Sequence, residues 1–396
     1  MFKIKYLGII IGCLSLFMAC KSKPTSKNEM ITANIDSLLE TQYQKLLEYR
    51  VDSLAFPRSM SSKTEVIRGN GSKDWTSGFF PGSLWLLYQL TENKEYMEKA
   101  IEWTAFMEKE KYNDKSHDTG FMIYCSFGSG LKAIEKKEYQ SVIIEAARSL
   151  SKRFNNNVGS ILSWDFGKDL WQFPVIIDNM MNLELLFEAT KISGDSMYHQ
   201  LAVQHANTTL KNHFRVDNST HHVVDYDTLH GTVRNKMTHQ GFNDESSWAR
   251  GQAWAIYGFT MTYRYTKDSL YLAQAEATAA YYLEHKNLPE DGIPYWDFKD
   301  PDIPNAPRDV SASAIVASAF FELYAYTENK KYVVYSQKVL KSLKSEKYIL
   351  ENIEAPFILD SSTGNWPAND EIDGPIVYGD YYFLEAMLRE KRYKSN

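Results

Sequence analysis

The chain has 396 residues, 44% hydrophobic and 24% charged, the balance of a soluble globular protein with one large or two medium domains. Its net charge of −6 gives no global attraction to nucleic acid or anionic polymers, so an acidic substrate has to be met by local cations. Of 3 Cys, Cys13 and Cys20 lie at the start; Cys125 is then alone in a mature chain, an intrachain disulfide is excluded, and no His, Cys or carboxylate grouping has metal-ligand spacing.

Lys3 and Lys5 precede an apolar run from Tyr6 to Met18, too short for a membrane span and suited to an export signal. Ala19-Cys20 resembles the end of a bacterial lipobox. Residues 1–20 are therefore expected to be a lipoprotein signal peptide, with Cys20 as the lipidated first residue of the mature chain. Residues 21–28, KSKPTSKN, read as a flexible tether, and residues 29–396 as a single catalytic domain. The protein is then expected to face the periplasm or the cell exterior, and to touch a membrane only through its lipid.

After a first helix over Met30–Arg50, one pattern recurs: a helix, a short charged turn, a Tyr, and a second helix. It runs Gly78–Thr91 with Tyr96, then Gly120–Glu135 with Tyr139, then Asp178–Lys191 with Tyr198. Trp248–Thr266 with Tyr271 and Ser311–Thr327 with Tyr332 follow, and Val377–Arg389 closes the series as a helix without a successor. Those last residues and Met30–Arg50 can pair. The spacing is too irregular for a tetratricopeptide array. First helices are rich in small and apolar residues such as Ala312, Ala314, Ala317 and Ala319, whereas second helices are amphipathic. The expected fold is all-α: six helical hairpins with inner and outer rings, an (α/α)6 toroid. Strand signal is confined to His222–Tyr226, which suits a short hairpin in a loop.

In such a ring all inner helices start on one face, and the loops feeding those starts hold the unusual residues. Asp118 and Asp178 each open an inner helix, and a pair of carboxyls across a sugar is the usual apparatus of glycoside hydrolysis. Asp178 follows Phe173-Pro174-Val175-Ile176-Ile177, and an apolar setting favours the protonated form, so it is the better proton donor; Asp118 beside His117 is the better anion. The plainer reading makes both of them N-caps. Trp75, Trp164 and Trp254 are candidate sugar platforms, or simply core. Arg250 could clamp a carboxylate with its two-pronged guanidinium or pair with a neighbouring acid, and His222 and Gln240 could donate hydrogen bonds.

WTSGFFPG (75–82), HDTGF (117–121), FPVIIDNMMNLELL (173–186), HVVDYD (222–227), HQGFNDESSWARGQAWAIYG (239–258) and GDYYFLEAMLR (379–389) together resemble glycoside hydrolase family 88, the unsaturated glucuronyl hydrolases. The resemblance spans roughly Thr64 to Arg389 and implies the toroid reached from the repeats. It also implies hydration of the C4=C5 double bond in a Δ4,5-unsaturated uronic acid left by a polysaccharide lyase. The product rearranges, opens its ring and releases the neighbouring sugar. Asp178 would be the general acid and base and Asp118 its partner. Trp75, Trp164, His222, Gln240, Arg250 and Trp254 match substrate-binding positions, and no metal or organic cofactor is required. The expected substrates are glycosaminoglycan disaccharides. Two other readings stay open: an unsaturated rhamnogalacturonyl hydrolase acting on pectin fragments, expected to lack the HQGFNDESSWARGQAW run, and a surface lipoprotein that only captures glycans. A sugar 2-epimerase on a similar ring would need paired catalytic His on inner helices, and none is evident.

Overall fold

The recurrent charged turn is a helical hairpin of fixed geometry. In the computed structural model, which describes residues 27–351 and 353–395, α2 (Phe79–Thr91) and α3 (Lys94–Phe106) are joined through Glu92, in the left-handed region at φ 62°. The same conformation recurs at Glu135 (φ 51°), Gly194 (φ 76°), Lys267 (φ 56°) and Glu328 (φ 54°), each ending the first helix of a hairpin. The next residue starts the second helix. Asn93, Asp195, Asp268 and Asn329 do so by accepting a backbone N–H two residues on, which satisfies one orphan donor of each helix start. The repeated tyrosines Tyr96, Tyr139, Tyr198, Tyr271 and Tyr332 are all buried beneath these turns. Each hairpin thus anchors its bend with one aromatic ring, which explains why Tyr marks the repeat.

Before these hairpins come α1 (Lys27–Glu48) and a ribbon of β1 (Phe56–Met60) and β2 (Ile67–Asn70). The second hairpin has an inner helix built of α4 (Thr119–Ile123), a π turn over Tyr124–Gly128 and α5 (Ser129–Ile134), followed by α6 (Lys137–Ser151). A small bridge of β3 (Phe154–Asn155) and β4 (Ser160–Ile161) leads to β5 (Pro174–Ile176), then α7 (Asn179–Ser193) and α8 (Ser196–Asn212). The strands β6 (Val223–Tyr226) and β7 (Val233–Met237) precede α9 (Ala249–Thr266) and α10 (Ser269–Glu284). The chain ends with α11 (Val310–Thr327), α12 (Lys330–Leu343) and α13 (Val377–Ser395).

The helices α2, α4–α5, α7, α9, α11 and α13 pack each on the next, and α13 returns to α2, closing an inner ring. This is an (α/α)6 toroid. One core of buried side chains runs continuously from Leu39 to Leu388. Among the described residues only Val310–Thr327 is long and apolar enough to cross a membrane, and it is buried within this ring. At the end of the ring where inner helices finish, Arg264 binds Glu322 and Glu184, while Arg389 binds Glu322 and Glu385.

Two expectations are corrected. The first helix begins at Lys27, inside the segment 21–28 read as a tether; residues 1–26, with Cys20, lie outside the described residues. That helix packs on α2 and α3, and meets α13 through a Tyr43 hydroxyl bond of 3.5 Å to the Met387 sulfur. Strand, expected only at His222–Tyr226, also forms the apolar approach to Asp178: β5 pairs antiparallel with β6, which pairs with β7 in a three-stranded sheet. Pro174 is tolerated because it is the first residue of its strand.

Candidate active site

The antiparallel register of the small sheet sets the centre of the site. Ile176 faces Val223 across the ladder, and the Ile177 N–H donates to the carbonyl of His222 at 3.0 Å. The chain after β5 and the chain before β6 therefore emerge side by side, and His222 Nε2 comes to lie 3.7 Å from Asp178 Oδ2. The third strand orients that imidazole. The backbone N–H groups of His239 and Gln240, just past β7, both donate to His222 Nδ1 at 3.1 Å. A nitrogen accepting two bonds carries no proton, so neutral His222 bears its hydrogen on Nε2, aimed at Asp178. Burial, aided by the nearby His239 and Arg250, holds the His222 pKa well below its ordinary value.

Asp178 stands at the N-cap position of α7 and Asp118 at that of α4, yet neither side chain makes a capping hydrogen bond. The capping reading fails for both, in a chain whose Asp195, Asp268 and Asp309 do cap. Asp178 is almost fully buried, and its Oδ2 has no hydrogen-bond partner among the described residues. Burial pushes its pKa up to about 7; the Arg250 charge opposes this, and Asp118 adds to it. Asp118 is more open. Its Oδ2 accepts from the Ser116 hydroxyl at 3.1 Å and its Oδ1 from the Asn182 amide at 3.3 Å, while His117 Nε2 lies 3.3 Å from Oδ1.

Asp178, Asp118, His117 and Ser116 line a cleft of about 690 Å³ at the face where the inner helices begin, together with Trp75, Trp164 and Gln240, whereas His222 and Asn182 are buried and do not line it. Trp75 stacks on Tyr378 with ring centroids 5.1 Å apart. Trp164 stacks on exposed Phe166 at 4.8 Å, and Trp171 meets it edge-on. Gln240 is tethered by a 3.1 Å bond from its amide to the Gly364 carbonyl.

Arg250 and Trp254 sit beneath the cleft and do not line it. Arg250 is buried between the rings of Trp248 and Tyr378, with NH1 on Asp309 Oδ2 (2.6 Å) and the Thr363 carbonyl (2.7 Å), and NH2 on the Gly364 carbonyl (2.5 Å). An open two-pronged clamp is therefore absent, because the terminal nitrogens already hold the chain. Trp254 is fully buried against Phe121 and Tyr382, so it is no open platform; its indole N–H, otherwise unpartnered, is turned toward Asp178.

Sequence reasoning missed one wall. Arg58 holds Glu371 through Nε (2.7 Å) and NH2 (2.8 Å) and Asp74 through NH1 (2.9 Å), and all three line the cleft. Only Asp74 stood beside a noted motif. Lys73 and Lys115 add exposed cations to the lining, where an anionic sugar would meet them. A carboxyl poised between its two forms, beside a second carboxylate in an aromatic-walled cleft, can donate a proton to a bound sugar and take one back.

The profile of Glycosyl Hydrolase Family 88 matches residues 55–352. The chain is 60% identical over 394 residues to the unsaturated glucuronyl hydrolase of Formosa agariphila, covering 98% of each. It is similar to the crystal structure of an unsaturated glucuronyl hydrolase specific for heparin, with a TM-score of 0.88, 40% identity and coverage of 93% of this chain and 99% of that one. An Asp-to-Asn mutant of the Streptococcus agalactiae unsaturated glucuronyl hydrolase, complexed with dGlcA-GalNAc6S, superposes with a TM-score of 0.75 at 28% identity, covering 93% of each chain.

Proposed function

The chain belongs to glycoside hydrolase family 88, the unsaturated glucuronyl hydrolases, and from that premise we propose that Asp178 is the group that protonates the substrate double bond. The enzyme removes a Δ4,5-unsaturated uronic acid from the non-reducing end of oligosaccharides. The observation that supports the role of Asp178 is its desolvated, uncapped carboxyl with a pKa raised to about 7, so that both protonation states are populated near neutrality.

Asp178 gives its proton to C4, and positive charge develops at C5 and the ring oxygen. The Asp118 carboxylate stabilises that charge. Water then adds to C5 and Asp178, now ionised, takes its proton. The resulting hemiketal opens, and the bond to the neighbouring sugar breaks as the ring rearranges. Gln240 donates to the bound sugar and Trp75 and Trp164 flank its ring, while the buried His222 Nε2–H faces Asp178 and orients its carboxyl. Arg250 and Trp254 act from below, moderating the pKa of Asp178 and fixing residues 363–364. The substrates are lyase-generated disaccharides of the glycosaminoglycan type, in keeping with the heparin specificity of the similar crystal structure. Cys20 carries a lipid that tethers the enzyme to a membrane outside the cytoplasm.

The test is a panel of unsaturated disaccharides from heparin, chondroitin, hyaluronan and pectin lyases, followed by loss of ultraviolet absorbance. Turnover of at least one glycosaminoglycan disaccharide is expected. A folded enzyme that consumes only the pectin product, or binds without consuming any, would overturn the assignment.

A further inference from the structure

The two carboxyls belong to adjacent inner helices, and one buried amide spans the gap between them. Asn182 lies one turn beyond Asp178 on α7 and is fully buried. Its Oδ1 accepts the backbone N–H of Phe121, on α4, at 2.7 Å. Its Nδ2 donates to Asp118 Oδ1 at 3.3 Å and lies 3.5 Å from His117 Nδ1. The helices can approach this closely because residue 120 is Gly. A Cβ there would stand 2.5 Å from Asn182 Oδ1 and 2.6 Å from its Cα and Cβ.

We propose that Asn182 is a positioning residue for the hydration reaction: its amide holds the Asp118 carboxylate in register with Asp178 across the α4–α7 contact. A carboxamide is the side chain that can do this. One end must accept from a backbone N–H and the other must donate to a carboxylate, without adding charge beside two acids. Leu fills the space but satisfies neither end. Asp satisfies the Phe121 end and turns an anion on Asp118.

The inference rests on Asp178 being the proton donor, and pH profiles separate it from a packing role. Asp178 is faced by Asp118, Arg250, His222 and the Trp254 indole; Asp118 is faced by His117, Ser116 and Asn182. Burial lowers the pKa of both histidines and keeps them neutral. Catalysis needs protonated Asp178, so kcat declines as pH rises through its pKa, and the Asp118 charge sets that limb higher than burial alone would.

The experiment measures kcat, KM and the basic limb for Asn182→Leu, Asn182→Asp and Asp178→Asn on whichever disaccharide the wild type consumes. Asn182→Leu frees Asp118 to move, so kcat should fall about 10²-fold for a displacement of about 1 Å, and the limb should move to lower pH. KM should stay within about threefold, because the aromatic walls are untouched. Asn182→Asp should move the limb to higher pH, and if the Leu variant does not fold, this near-isosteric variant decides alone. Limbs that stay in place, with activity lost only in proportion to folded protein, would overturn the role of Asn182. If Asp178→Asn is silent in that case, the proton-donor reading stands without it; if Asp178→Asn stays active, both fall.

Discussion

Replacing Asp178 by Asn should make the protein more stable and nearly inactive at once. The side chain caps nothing, its Oδ2 is buried without a partner, and burial raises its pKa from 3.8 to about 7. Between those values the folded chain holds a proton that the unfolded chain has lost, so stability falls as pH rises through this window. The difference of about 3 between the two pKa values corresponds to up to about 4 kcal/mol of strain at neutral pH, released when the charge is removed. Urea denaturation of wild type and Asp178→Asn, followed by circular dichroism at about pH 7.5 and about pH 4.5, reads this directly. The variant should be the more stable at the higher pH, and the gap should shrink at the lower. Its kcat should drop about 10²–10⁴-fold, the usual contribution of a general acid or base. A variant less stable than wild type at about pH 7.5, or equally stabilised at both values, would refute the desolvated-acid argument.

Arg250→Gln strands Asp309 as an unpaired buried acid, so calorimetry should show a loss of about 3–5 kcal/mol, and the basic limb of kcat should move up because a charge that lowers the Asp178 pKa is gone. A raised KM with unchanged melting temperature would instead mean an open clamp. At Gly194, φ is 76° and an added Cβ meets nothing within 4 Å, so Gly194→Ala should cost about 1–2 kcal/mol from backbone strain alone, with kcat/KM unchanged. Cys20→Ser should move the protein from the membrane fraction to the soluble fraction after cell fractionation; an unchanged distribution would remove the lipid anchor from the account.

The ring was legible because its signals are local and repeated. A left-handed residue and a buried Tyr four positions on recur in five successive hairpins, four of them with an Asn or Asp cap between, so each turn reinforces the reading of the others. Asp118 and Asp178 were visible as acids at inner-helix starts. What they do not do, namely cap, could only be seen once side-chain direction was known. The strand Pro174–Ile176 was hidden because a short run of apolar residues leading into an apolar helix shows no change of period. Arg250 was legible as a charged residue near the site, whereas its engagement was not: its partners Asp309, Thr363 and Gly364 come from loops 59, 113 and 114 residues away. Arg58 and Glu371 carry no local signal at all, since the pair that builds a cleft wall is separated by 313 residues.

The claim that this enzyme hydrates a double bond rather than cutting the glycosidic bond directly is tested by proton NMR during turnover in D₂O. Asp178 exchanges with solvent, so the vinyl proton signal at C4 should disappear and one deuterium should enter C4, on a single face, no later than the neighbouring sugar is released. Release of that sugar while the C4 vinyl signal persists, with no deuterium at C4, would contradict hydration and return the reaction to ordinary two-carboxylate cleavage.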